Sequence, residues 1–153
     1  MTDVREPAGS GRHAASAVAD AAAGPDAVLA RPELVAKPWG SEAVFAAGEH
    51  GYVGKLITVL AGEALSLQRH AEKDETLVVI SGEALLEHGP SAERLESHTL
   101  RPGDSAHIPA TVVHRVTAVS DLLFAEASTA APGWRDDVVR LADRYGRDGT
   151  TSP

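Results

Sequence analysis

The stretch Ser66–Gly82, SLQRHAEKDETLVVISG, decides the fold that the sequence predicts. Gln68 and His70 are two positions apart, so on an extended strand their side chains leave the same face. Glu75 follows a short polar break, at the start of an apolar run. One amide oxygen, one imidazole and one carboxylate form a mixed donor set that suits one divalent transition metal, whether zinc, manganese, iron, cobalt or nickel. His114 is the candidate for a fourth donor.

The spacing within this stretch resembles the first motif of the cupin family. That motif is a glycine, five residues, His-x-His, three or four residues, a glutamate, six residues and a glycine. Here it runs from Gly62 to Gly82, and Gln68 replaces the first histidine. The resemblance implies an all-β, single cupin-type jelly-roll β-barrel that binds a metal.

A second cupin-like motif follows at the expected distance. The family pattern is a glycine, five residues, Pro-x-Gly, two residues, a histidine, three residues and an asparagine. Here the motif runs from Gly103 to Ala118, with Thr111 in place of the second glycine and Ala118 in place of the asparagine. Both substitutions leave the histidine, His114, intact.

Within the cupins, the chain is similar to the barrel of type II mannose-6-phosphate isomerases. The similarity covers roughly residues 34 to 147 and lies in these stretches: KPWG at Lys37–Gly40, the strand with Lys55, LSLQ at Leu65–Gln68, IP and HR within Ile108–Arg115, and DDVVRLADRYGR at Asp136–Arg147. The resemblance implies that Gln68, His70, Glu75 and His114 together hold the metal. The chain departs from the family's usual residues at Ala71–Lys73 and at Thr76 and Leu77.

The apolar pattern outside these motifs also predicts a jelly roll, since many short β-branched segments alternate with turns. We expect a barrel over residues 31–133, with a hairpin around Ser81–Glu83 and a polar connection over His88–Ser97. Apolar residues at helical spacing in Asp136–Tyr145 predict a C-terminal helix over residues 134–147 that packs on the barrel. Residues 1–30 are expected to form a flexible leader, and residues 148–153 a tail.

Composition narrows the range of partners. The chain has 153 residues and a net charge of −8, from 14 basic and 22 acidic residues, so nucleic acid and anionic membranes are poor partners. It contains no cysteine, which excludes disulfides and thiolate ligands. No apolar run is long enough to span a membrane, and a cytoplasmic location is expected. The cupin resemblance implies a homodimer.

Two further residues are candidates for catalysis. Lys55 shares a strand face with the apolar Ile57 and Val59, which suggests a cation inside the cavity that holds an anionic group of a small-molecule substrate. Alternatively, Lys55 could be a lysine on an edge strand, where its charge prevents aggregation. His107 has a parity that places it with Pro109 at the cavity mouth, where an imidazole could transfer protons.

Each candidate also has a simpler explanation. His70 and His114 could be ordinary buried histidines, and Gln68 could orient a ligand without binding the metal. Glu75 could pair at the surface with a neighbouring cation. The charged residues Lys73, Arg69 and Arg115 are typical of solvated surface positions.

Three functions fit the predicted site. The first is metal-dependent aldose–ketose isomerisation of a sugar or sugar phosphate, in which a base moves a proton between two carbons. The second is an iron-dependent dioxygenase or a lyase, because one fold supports several chemistries. The third is a non-catalytic metal-binding or ligand-binding cupin.

Overall fold

The computed structural model describes residues 29–151, and these form eleven β-strands without a helix. The strands are β1 (Glu33–Lys37), β2 (Gly40–Ala47), β3 (Tyr52–Val59), β4 (Leu67–Arg69), β5 (Glu75–Ser81), β6 (Ala84–Ser91), β7 (Arg94–Leu100), β8 (Ser105–Ile108), β9 (Val113–Ala118), β10 (Leu122–Thr129) and β11 (Val139–Ala142). The predicted leader falls almost wholly on residues 1–28, outside the described part of the chain.

The strands form two antiparallel sheets that face each other. One has six strands in the order β1-β2-β3-β10-β5-β8, and the other has five in the order β11-β4-β9-β6-β7. The apolar core fills the space between them and includes Trp39, Ile57, Val79, Leu86 and Phe124. The predicted jelly roll is therefore confirmed.

Strand β3 shows how the sequence alternation positions the site. Val53, Ile57 and Val59 are buried, with exposures of 0 to 1%, because every second side chain of a strand points to the same face. Lys55 has the same parity, so its ammonium group also points between the sheets. The sequence prediction for the direction of Lys55 agrees with this placement.

The predicted C-terminal helix is wrong. Residues 139–142 form β11, which pairs with β4. Along this segment Val138 and Arg140 are buried, whereas Val139 and Leu141 are exposed, which is the period of a strand. Paired β-branched valines favour an extended backbone, and the three-residue strand β4 gains a partner for its open edge.

Three smaller predictions also need correction. Residues expected to form a polar connection belong to β6 and β7, which pair as a hairpin. The turn at Ser81–Glu83 does not close a hairpin, because β5 and β6 lie in different sheets. The described part of the expected tail, residues 148–151, contacts β11, since Thr150 accepts hydrogen bonds from Arg140.

The outer face of the six-stranded sheet carries no charged side chain at its paired positions, although 24% of the chain is charged. The strand registers place these residues there: Leu34, Ala36, Ser41, Ala43, Gly54, Leu56, Thr58, Thr76, Val78, Ser105, His107, Leu123, Ala125 and Ala127. We call this surface the uncharged face. By contrast, the outer face of the five-stranded sheet carries the ion pair Arg115–Glu87, whose atoms are 2.6 Å apart.

Over residues 29–151, no helix is long and apolar enough to cross a membrane.

Candidate metal centre

Three of the predicted donors converge between the sheets. His70 follows β4, Glu75 is the first residue of β5, and His114 is the second residue of β9. Each is buried, with an exposure of 3 to 6%, and one ligand atom from each lies within 4.8 Å of the other two. His114 Nε2 is 2.9 Å and His70 Nε2 is 3.4 Å from the carboxylate oxygens of Glu75.

The outer nitrogen of each imidazole is held by a backbone carbonyl. His114 Nδ1 lies 3.0 Å from the oxygen of Val112, and His70 Nδ1 bonds the oxygen of Asp137. A carbonyl only accepts hydrogen bonds, so each Nδ1 carries the proton. Each Nε2 is then free to present a lone pair to a metal, which is how such ligands are usually oriented.

The inner nitrogens of the two imidazoles lack hydrogen-bond partners. His70 Nε2 and His114 Nε2 are buried and make no hydrogen bond in the described part of the chain, whereas Glu75 Oε2, the third inner atom, contacts the Lys73 ammonium group at 2.8 Å. If both imidazoles are neutral, their lone pairs face a carboxylate, which is repulsive. A divalent cation between them removes that repulsion and satisfies all three atoms, so this donor set fits a metal.

The same electrostatics shift the pKa values of Glu75 and His114. Burial alone would raise the pKa of Glu75, but His114, His70 and the charge of Lys73 hold it well below its usual value. Burial alone would lower the pKa of His114, yet the neighbouring Glu75 raises it. A positive charge is therefore favoured beside the carboxylate of Glu75.

Gln68 lies beside the three donors. It pairs with His114 across β4 and β9, so both side chains leave the same face of the sheet. Its Oε1 accepts a hydrogen bond from Ser66 Oγ at 2.7 Å. Direct ligation of the metal by Gln68 stays a prediction.

The two sequence motifs are joined by hydrogen bonds. Thr111 N donates to the oxygen of His70 at 2.7 Å, and Ala110 N donates to Asp74 Oδ1 at 2.6 Å. Thr111 has a φ of 72°, a left-handed conformation that glycine adopts more easily. This explains why the related cupin motif has glycine at that position.

Asp137 holds the loop that carries His70, a role that the sequence analysis did not predict. Its carboxylate accepts hydrogen bonds from the backbone N–H groups of Ala71, Glu72 and Lys73, at 2.7 to 3.0 Å. Burial alone would raise the pKa of Asp137, but these three donors hold it below its usual value. The segment that follows β10 therefore fixes the position of a metal-ligand candidate.

A small cavity lined by Glu75 and His114 adjoins a cleft of about 720 Å³, open solvent at its mouth included, which is lined by His70; Gln68 and Glu126 line both. The charged side chains of the cleft are six cations and three carboxylates: Lys37, Lys55, Lys73, Arg135, Arg140 and Arg147, against Glu42, Glu126 and Asp137. The cleft is thus cationic although the whole chain has a charge of −8.

Alternating charges run along the cleft wall toward Glu75. Successive nitrogen–oxygen distances are 3.8, 3.6, 3.9, 3.4 and 2.8 Å along the series Lys37, Glu42, Lys55, Glu126, Lys73 and Glu75. The interpretation of Lys73 as a solvated surface charge is wrong, because it is 5% exposed. Its partner Glu126 lies 53 positions away, so the local sequence could not reveal the pair.

His107 lies away from the donor set. On β8 it pairs with Thr76, whereas Glu75 pairs with Ile108. Ile108 therefore shares the inner face with Glu75, and His107 is exposed on the uncharged face, where its Nδ1 is 2.9 Å from Thr76 Oγ1. The predicted parity of His107 is wrong.

Comparison with known families agrees with the fold. The model of the family described as "Mannose-6-phosphate isomerase C-terminal" matches residues 26–143. The chain belongs to this family of cupin-type domains.

Curated relatives of this cupin are longer proteins. It is 35% identical over 115 residues to the xanthan biosynthesis protein XanB of Xanthomonas campestris, covering 74% of this chain and 23% of XanB. Identity and coverage are the same for a mannose-1-phosphate guanylyltransferase of Escherichia coli. The cupin thus spans about a quarter of the length of these relatives.

A solved structure with the same fold is the capsular polysaccharide assembling protein CapF from Staphylococcus aureus. The TM-score is 0.63 at 14% identity, and the match covers 73% of this cupin and 34% of CapF. At this identity the likeness supports the fold alone.

Replacing either inner histidine should abolish metal binding. We expect His70→Ala and His114→Ala to retain little metal and to lose the rise in melting temperature that added metal gives the wild type. Metal analysis and thermal melting measure both effects. His107→Ala is the matched control, since this histidine is on the uncharged face, and it should behave as the wild type. Wild-type metal content in both inner variants would place the site elsewhere.

Asp137→Ala should weaken both the fold and the metal site. Loss of three hydrogen bonds to a charged acceptor should lower the free energy of unfolding by about 3 kcal/mol, and loss of His70 orientation should lower metal affinity about tenfold. Because folding lowers the pKa of Asp137, its ionised carboxylate should stabilise the folded state at neutral pH. This contribution should be lost as the pH falls through the lowered pKa. Denaturant melts at several pH values test this against the exposed control Asp136→Ala. A variant as stable as that control would contradict it.

Proposed function

We propose that this cupin is a metal-dependent aldose–ketose isomerase that acts on a small phosphorylated sugar. The observation that carries the proposal is the buried donor set of His70, Glu75 and His114 beside a cationic cleft that His70 lines. A relative's name, mannose-1-phosphate guanylyltransferase, is consistent with a phosphorylated sugar as ligand.

The metal would act as a Lewis acid on the substrate's carbonyl and adjacent hydroxyl oxygens. Its proposed ligands are His70, Glu75, His114 and Gln68, and its identity among zinc, manganese, iron, cobalt and nickel stays open. The backbone bonds to the two Nδ1 atoms orient both imidazoles before any ligand arrives, so little conformational freedom is lost on binding.

Glu126 is the residue best placed to move the proton between the two carbons. It is 8% exposed and lines the cleft. Lys73 lies between it and the donor set, because the Lys73 ammonium group contacts both Glu126 and Glu75. Burial alone would lower the pKa of Lys73, but Glu126 and Glu75 raise it above its usual value. Lys73 therefore keeps its proton and serves as a hydrogen-bond donor, which leaves the carboxylate of Glu126 as the base.

Lys55 adds positive charge where an anionic substrate would enter. Its ammonium group lies 3.6 Å from Glu42 and 3.9 Å from Glu126, and 5.7 Å from the centre of the Trp134 ring. We propose that it attracts the anionic group and keeps Glu126 in position. His107 has no role in this proposal.

An isomerase assay of the metal-loaded protein tests the proposal. We expect conversion of mannose 6-phosphate to fructose 6-phosphate, with deuterium incorporated at the carbon next to the carbonyl when the reaction runs in D₂O. Glu126→Gln should lower kcat about a hundredfold or more with metal content unchanged, and Lys55→Ala should mainly raise KM. Glu87→Gln, on the outer face of the other sheet, is the control.

The outcome also separates the alternatives. Oxygen uptake that requires iron would favour a dioxygenase, and tight ligand binding without turnover would favour a non-catalytic cupin. Absence of turnover with any sugar phosphate, or full activity in Glu126→Gln, contradicts the proposed mechanism.

We further propose a homodimer in which the uncharged faces of two copies pack together. Six strands at about 4.8 Å and six residues at about 3.3 Å give a face of about 29 by 20 Å. The pair would bury about 1,150 Å², above the roughly 1,000 Å² of a specific interface. A second copy suits this face because it brings no charge that needs a partner. The cytoplasmic location stays a prediction.

Val78→Lys should dissociate this dimer, since a two-fold axis brings two new ammonium groups into an apolar contact. Light scattering after size exclusion should show a dimer for the wild type and a monomer for the variant. Thr99→Lys, on the outer face of the five-stranded sheet, should remain dimeric. A monomeric wild type at high concentration would rule out the pairing.

A further inference from the structure

Arg140 is a buried cation with an unpaired hydrogen-bond donor, which indicates a binding site for an anion. It is 8% exposed and lines the cleft. Its Nη1 donates to the carbonyl and hydroxyl oxygens of Thr150, but its Nε has no partner in the described part of the chain. A guanidinium group keeps its charge in proteins, so a buried one with an unpaired donor is costly unless an anion satisfies it.

Two more cations crowd the same end of the cleft. Burial and the nearby charges of Lys55, Arg147 and Arg140 lower the pKa of Lys37, and Glu42 opposes this only in part. Arg147 is paired with Asp143 through two contacts of 2.8 and 3.1 Å, so it is held in place with part of its charge neutralised. The remaining positive charge lies on Lys37 and Arg140.

We propose that Arg140 and Lys37, supported by Arg147, form an anion subsite that holds the phosphate group of the substrate. This rests on the proposed function, because it assigns one part of that substrate to one end of the cleft. A guanidinium group binds phosphate with parallel hydrogen bonds, and the lysine adds a point charge.

The strand register sets the distance between this subsite and the donor set. Arg140 is directly opposite Gln68 on β4, and Gln68 is directly opposite His114 on β9. All three side chains therefore leave the same face of the sheet. Two strand spacings separate Arg140 from His114, about 10 Å between backbones. A six-carbon sugar phosphate can bridge this separation, with its carbonyl end at His114 and its phosphate at Arg140.

Lys55 is a weaker anchor than this subsite. Its ammonium group already contacts two carboxylates, Glu42 and Glu126, whereas Arg140 has an unpaired donor. We therefore expect the loss of Arg140 to reduce phosphate affinity more than the loss of Lys55.

Binding of unreactive probes tests the subsite without turnover. Titration calorimetry with glucitol 6-phosphate, glucitol and inorganic phosphate would be run on the metal-loaded protein. We expect the wild type to bind glucitol 6-phosphate and to bind glucitol far more weakly. Arg140→Gln and Lys37→Gln should each lose about tenfold or more in affinity for glucitol 6-phosphate, with metal content unchanged. Arg94→Gln, an exposed arginine of β7, is the matched control.

Two results would overturn the subsite: no preference of the wild type for the phosphorylated probe, or wild-type affinity in both variants. Lys37→Gln decides the matter if Arg140→Gln does not fold, because among the described residues Lys37 makes a single ion pair, with Glu42 at 3.8 Å. Loss of probe binding in the variants of a protein that isomerises nothing would keep the subsite and reject the isomerase. Isomerase activity with unchanged KM in both variants would keep the isomerase and reject the subsite.

Discussion

The buried carboxylate of Glu75 is the constraint on which the site depends. It is 6% exposed, and an ionised carboxylate in such a place costs several kcal/mol unless other groups compensate it. Lys73 compensates part of this at 2.8 Å, and His70 and His114 take the other positions around it. Loss of Lys73 would leave the carboxylate without its cation, and loss of either histidine would open the space around it, so the loop before β5 and the start of β9 must be held accurately.

That accuracy comes from the segment that follows the barrel strands. Asp137 fixes the loop through its carboxylate and fixes His70 through its backbone oxygen. Two residues later, β11 closes the open edge of β4 and turns Arg140 into the cleft. A helix docked on the outside of the barrel could supply none of these contacts, because its side chains would meet the sheet from outside.

The jelly roll and the converging donors were predictable because His70 and Glu75 lie in one short segment and the second cupin-like motif added His114. The direction of Lys55 was also predictable, since β3 is a regular strand. The parity of His107 failed because the pairing of β5 with β8, and not the nearby proline, decides which residue faces inward. A short apolar segment after Pro132 fits a helix and a strand equally well, and only the open edge of β4 decides between them.

The partners of Lys73 and Asp137 were beyond sequence analysis for a different reason. Each of these residues acts on a group more than 50 positions away in the chain. The polar break around Lys73 suggested a solvated charge, and Asp137 fell within the predicted C-terminal helix. The role of a charged residue in a polar break can be inferred only when the segment that packs against it is known.

The distribution of charge explains how an acidic protein can select an anionic ligand. The chain carries −8 in total, yet the cleft has more cations than carboxylates and the uncharged face has neither at its paired positions. The acidic surplus therefore lies outside the cleft and the uncharged face. A field confined to a cleft with low-dielectric walls attracts a small anion that can enter it. A polyanion such as nucleic acid is too large to enter and meets only the acidic exterior, so the same arrangement that favours a sugar phosphate disfavours the larger partner.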